Sequence, residues 1–148
     1  LILGNKIKDR YPDVKVIYTR STDKFVPLDE RAAIANRNHA DLFISIHVNA
    51  TKSSAARGTE TFVMGLDKSN SNMEVCQLEN SVLTLEDGYN SKYSGFDPNN
   101  PESYIIFSLL QNAHLEQSLI IAEAVQNELK KGPITHNRGV KQAPFLVP

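Results

Sequence analysis

Cysteine is almost absent from this 148-residue chain: Cys76 is the single one, so no disulfide can close within it. That suits the cytosol and an exported bacterial protein equally. An excess of charge of one sign is missing too, with 16 Lys and Arg against 17 Asp and Glu, so no net field draws the chain to nucleic acid or to an anionic membrane surface. No apolar run approaches the roughly 20 residues of a bilayer-spanning helix; the strongest, Asp41 to Val48, has the length of a strand and contains His47. The Gly-rich phosphate loops, the HExxH zinc motif and the GxSxG nucleophile elbow are all lacking, and a lone cysteine excludes a cysteine-rich zinc site. What remains is 41% hydrophobic and 22% charged, the make-up of one soluble globular domain with a single core.

The pattern along the chain alternates between helical and strand spacing. Leu3, Ile7 and Tyr11 share one face of a helix closed by Pro12 and Asp13. Val14 to Thr19 alternates as a strand. Pro27 to Asn38 predicts a second helix, with Pro27 at its start and Asp29 and Glu30 where the dipole favours acids. Asp41 to Asn49 (DLFISIHVN) places Leu42, Ile44, Ile46 and Val48 on one side and Phe43, Ser45, His47 and Asn49 on the other, the pattern of a central strand. Thr59 to Met64 reads as a further strand stopped by Gly65, and Leu115 to Leu129 as a helix ended by Gly132 and Pro133. Val140 to Val147 is a last strand or extended segment. Between Asp67 and Leu110 the texture turns to Asn, Ser, Asp and Tyr, as in an insertion, with helical spacing returning from Ser103. Neither terminus has the look of a natural end: the chain starts on Leu1 with no leader and stops at Pro148 within an apolar run, so any signal peptide is expected upstream.

Four histidines are present, and His47 carries most chemical interest. It lies near the end of an apolar strand, on the face opposite Ile44, Ile46 and Val48, where an open α/β sheet lines its ligand crevice. A partly buried His bonded to its neighbours is the plain alternative. His39, His114 and His136 fall at a helix end, a helix start and a turn, and none pairs with His47 at a recognised metal spacing. Ser45 alternates with His47 on one face but lacks an acid partner or an elbow for nucleophilic work. Cys76, beside Val75 and Leu78, suits a helix core position better than a reactive one.

Taken together, IYTRSTD (Ile17 to Asp23), PLDERAAIAN (Pro27 to Asn36), ADLFISIHVNA (Ala40 to Ala50) and GTETFVMG (Gly58 to Gly65) resemble, in that order and spacing, the catalytic domain of the zinc amidases that split N-acetylmuramic acid from L-alanine in peptidoglycan. QSLIIAEAV (Gln117 to Val125) and NRGVKQAPF (Asn137 to Phe145) fit as well, and Asp67 to Leu110 fits least. The resemblance implies an α/β fold, a mixed sheet flanked by helices on both faces, as a single domain over 1–148 with 67–110 inserted. It implies zinc as cofactor and His47 of the SIH motif as a ligand. Zinc on a rigidly held imidazole would polarise an amide carbonyl and make water acidic enough to attack it. Asn49 is a candidate for substrate contact. Arg20, Asp23, Arg31 and Asn36 also recur in the family pattern, where a structural salt bridge and a cap are the favoured explanation over a functional one.

The family's first His ligand, its Glu ligand and its catalytic Glu have no counterpart in the residues present; the general base is expected beyond Pro148, so this chain alone is expected to bind zinc poorly and not to hydrolyse amides. In some members an insertion placed like Asp67 to Leu110 folds over the zinc cleft until an activator protein releases it. Glu79 and Glu86 are the candidates for such an inhibitory carboxylate, against a reading as solvated helix charges flanking a Leu78, Val82 and Leu85 stripe. Peptidoglycan as partner implies export, to the periplasm or cell envelope. A non-catalytic peptidoglycan-binding or regulatory module on the same scaffold is the alternative.

Overall fold

The structure, a computed structural model, describes residues 1–49, 55–65, 70–81, 114–143 and 145. In chain order these form α1 (Ile2–Arg10), α2 (Leu28–Arg37), β1 (Thr59–Met64), α3 (Asn70–Asn80), α4 (Leu115–Leu129) and β2 (Asn137–Ala143). The class is α/β. The chain divides into two compact units, Leu1–Ile44 and Ser45–Leu146.

In the first unit, α1 ends where the Tyr11 amide donates to the Ile7 carbonyl, with Lys8 and Arg10 in the last turn as the helix dipole favours. Gly4 is buried because the Tyr18 ring lies where a Cβ would stand. The Lys8 ammonium sits 5.3 Å from the centre of the same ring. α2 starts at Pro27, carries Asp29 and Glu30 in its first turn, and is tied at the start by Arg31 Nε donating to the Val26 carbonyl at 3.0 Å. Arg20 and Asp23 pair at 3.0 Å in the open, an arrangement that adds little stability.

Two expected strands, Val14 to Thr19 and Asp41 to Asn49, are not strands here. Alternation fixes which side chains share a face, but a strand also needs a ladder partner for its amides and carbonyls. Among the described residues neither segment has one, and Val14, Leu42, Ile44, Ile46 and Val48 are exposed.

The second unit is built on a parallel pair, β1 beside β2. Thr59 pairs with Asn137 but Thr61 with Val140, so β2 spends one extra residue there. Gly139 takes it up with φ +82°, the left-handed region that glycine enters cheaply, and its amide donates to Asn137 Oδ1 at 2.8 Å. The bulge changes the parity of β2. Arg138 and Lys141, three apart and otherwise on opposite faces, both reach the Glu60 carboxylate of β1, at 2.8 and 2.7 Å.

α4 packs on both strands. Ala122 and Gln126, one turn apart, are its buried positions. The Gln126 amide donates to the Thr59 carbonyl at 2.8 Å and to Asn137 Oδ1, and its oxygen accepts from Thr61 Oγ1 at 2.8 Å, so one side chain ties the helix to both strands. Phe62, which alternates with Thr61, meets Phe145 edge-to-face at 5.5 Å and packs with it against Cys76 of α3 and Ala143 of β2.

Candidate functional site around His47

α3 is placed by Cys76 and Asn80, one turn apart and both fully buried. Leu78, expected in the packing stripe, is 61% exposed instead; Val82 and Leu85 lie outside the described residues. Burying the Cys76 and Asn80 edge leaves Glu79, one position before Asn80, at the margin of the packed face with its side chain 28% exposed. From there its Oε2 stands 3.2 Å from Nδ1 of His47. On the far edge of the ring, Nε2 lies 2.7 Å from Ser45 Oγ. Ser45 and His47, two apart, present their side chains toward one another as a period of two allows, and His47 remains 44% exposed.

Beneath this pair Asn80 Nδ2 donates to Cys76 Sγ at 3.3 Å. Burial pushes the Cys76 thiol up to about 12; the nearby Glu79 charge adds to the rise and the Asn80 amide opposes it. The thiol is a packed, neutral group that steadies the helix carrying Glu79.

An imidazole and a carboxylate are donors that zinc accepts, and their spacing suits it: two ligands at ~2.0–2.1 Å from a tetrahedral ion stand about 3.3 Å apart. The same 3.2 Å also fits a direct hydrogen bond. Among the described residues no group of three or more His, Cys, Asp and Glu converges, so these two donors do not by themselves make a metal site. Asn49 is exposed, two positions beyond His47. Glu86 falls outside the described residues.

The sequence pattern singled out His47 and Glu79 separately and set Ser45 aside, although its spacing of two from His47 was the signal that could have found it. Within the first unit, an open depression of about 410 Å³ is lined by Tyr18, Arg20, Phe25, Glu30 and Ile34.

Fold and site together define an α/β protein in which a His and a carboxylate from distant parts of the chain meet as a donor pair. The chain belongs to the N-acetylmuramoyl-L-alanine amidase family, whose model matches residues 1–148. It is similar to the N-acetylmuramoyl-L-alanine amidase AmiC of Escherichia coli, 31% identical over 140 residues that make up 91% of this chain and 31% of the relative. AmiA of Escherichia coli is 30% identical over 132 residues, 87% of this chain and 44% of the relative. LytC of Bacillus subtilis, another N-acetylmuramoyl-L-alanine amidase, is 48% identical over 46 residues, 31% of this chain and 9% of the relative. The chain thus spans between about a third and a little under half the length of AmiC and AmiA. No solved structure matches it significantly.

Proposed function

We propose that the protein to which this chain belongs hydrolyses the amide between N-acetylmuramic acid and L-alanine in peptidoglycan, with zinc as its metal and His47 as a ligand through Nδ1. Membership of the amidase family supports the reaction, and the meeting of His47 with Glu79 is the observation that carries the reading of the site. Zinc, when bound, supplies a Lewis acid that polarises the amide carbonyl and makes water a nucleophile near neutral pH. His47 holds one coordination position. Glu79, delivered by α3, takes the place beside His47 that substrate or water needs, and so holds the enzyme off. Asn49, just past His47 on the same segment and exposed, is the residue assigned to substrate contact in this reading.

Release then requires α3 to move, and a partner protein binding the 67–110 segment is the natural agent. The general base and the remaining ligands come from residues other than those described. Peptidoglycan lies outside the cytoplasmic membrane, so the protein acts in the periplasm or cell envelope. Among the described residues no helix is long and apolar enough to cross a membrane.

The test uses the intact protein: zinc content, and release of peptides bearing a free L-alanine amino terminus from purified peptidoglycan. His47→Ala is expected to lose both. Glu79→Gln is expected to keep zinc and to release peptide faster without any partner. A protein that stays metal-free and inert yet sediments with peptidoglycan would instead be a binding module.

A further inference from the structure

Two features of the His47 ring need explaining together. Its Nδ1 edge faces a carboxylate at 3.2 Å and its Nε2 edge a hydroxyl at 2.7 Å. A neutral imidazole carries one ring hydrogen, so one nitrogen donates and the other offers a lone pair. When Glu79 is docked directly on the neutral ring, the carboxylate only accepts, so Nδ1 holds the hydrogen and Nε2 must accept. When Nδ1 serves a metal, its lone pair is used and Nε2 holds the hydrogen. The partner at Nε2 must therefore accept in one state and donate in the other. A backbone carbonyl or a second carboxylate could serve only the metal-bound state, whereas a hydroxyl serves both by rotating about its C–O bond.

We propose that Ser45 is the positioning residue for His47: its hydroxyl holds the ring so that Nδ1 is the atom offered to Glu79 in the metal-free protein and to the metal when zinc is bound, and lets the ring hydrogen change nitrogen between the two states. This rests on the reading of His47 as a zinc ligand. In the change of state one hydrogen leaves Nδ1 for solvent and one from solvent arrives at Nε2, so no proton is gained or lost in net and the Ser45 hydroxyl turns from donor to acceptor. The order Glu79, His47, Ser45 is also that of a nucleophilic triad. Ser45, however, lies on the same segment as its base, two residues before it, and residues 46–49, which follow it, are not helical. The side chain is exposed, so its removal leaves no packing defect.

The experiment uses the intact protein as parent, Ser45→Ala, Ser45→Thr and His47→Ala. Zinc affinity is measured by competition with a chromogenic chelator, and the His47 ring nitrogens are observed by ¹⁵N NMR with and without zinc. Ser45→Ala should weaken zinc binding by roughly 10- to 100-fold, the usual cost of losing a group that orients a metal-bound His, and Ser45→Thr should restore it. In the parent the ring hydrogen should sit on Nδ1 without zinc and on Nε2 with it, a preference that Ser45→Ala blurs. If Ser45→Ala keeps parental affinity and parental ring signals while His47→Ala loses zinc, the positioning role is overturned and the ligand reading stands. If His47→Ala binds zinc as the parent does, the ligand reading itself falls and takes this role with it. Covalent capture of Ser45 by a fluorophosphonate would overturn the role in favour of a nucleophile.

Discussion

Cys76 shows how a group with no chemistry of its own can set the position of one that has some. It is wholly buried against Phe62, Ala143 and Phe145, and that burial raises its thiol to about 12 from an ordinary 9.0. Between those values an unfolded chain sheds the proton that the folded chain retains, so stability is fully present below the unfolded pKa and is lost as pH climbs toward the folded one. Urea midpoints should fall as pH is raised above about 9, and Cys76→Ala should flatten that slope at the cost of some packing. The native thiol should also resist a disulfide reagent until urea is added. At this scale His47 was legible because a polar residue interrupts an apolar alternation. Its pairing with Glu79 was not, since nothing local connects a strand-like segment to the last turn of a helix far along the chain. Burial of Cys76 and Asn80 leaves Glu79 at the margin of α3, and there it meets His47.

The elements divide according to whether their cause is local. Helices α2 and α4 follow from spacing, acids in the first turn and Gly-Pro punctuation, and they fall within a residue or so of their expected bounds. β1 does so exactly where its β-branched and aromatic run lies, while β2 begins at Asn137, three residues before the expected Val140. The bulge explains that early start: the extra residue at Gly139 breaks the alternation that would have announced the strand. An added Cβ at Gly139 meets no atom within 4 Å, so replacing it tests the backbone alone. Gly139→Ala should cost about 1–2 kcal/mol, the usual penalty for a left-handed L-residue, read as a lower urea midpoint. Gly139→Asn should be milder, because Asn tolerates that region. The segments 14–19 and 41–49 went the other way. Their alternation is clear, but a ladder is a property of two segments and cannot be read from one.

For the whole molecule, the family was visible in four short strings whose order and spacing mattered more than any one of them, and the family match covers residues 1–148. Composition added only exclusions. With His47 as one zinc ligand among several, the metal should be removable from the intact protein by a strong chelator. Peptide release should stop on chelation and return with added zinc, while far-ultraviolet circular dichroism stays unchanged if the strands and helices do not depend on the metal. A fold lost together with the metal would show instead that zinc organises the chain.

The parallel pairing of β1 with β2 has a consequence in time. Val63 finds Gln142 only across everything from residue 65 to residue 136, and closing so long a loop costs entropy before any contact repays it. During synthesis β1 emerges well before its partner exists. α4, which also precedes β2, already holds the Gln126 amide that serves Thr59 and Thr61. The helix can therefore shield the strand while it waits, and the sheet is completed last, by the segment whose bulge sets its own register.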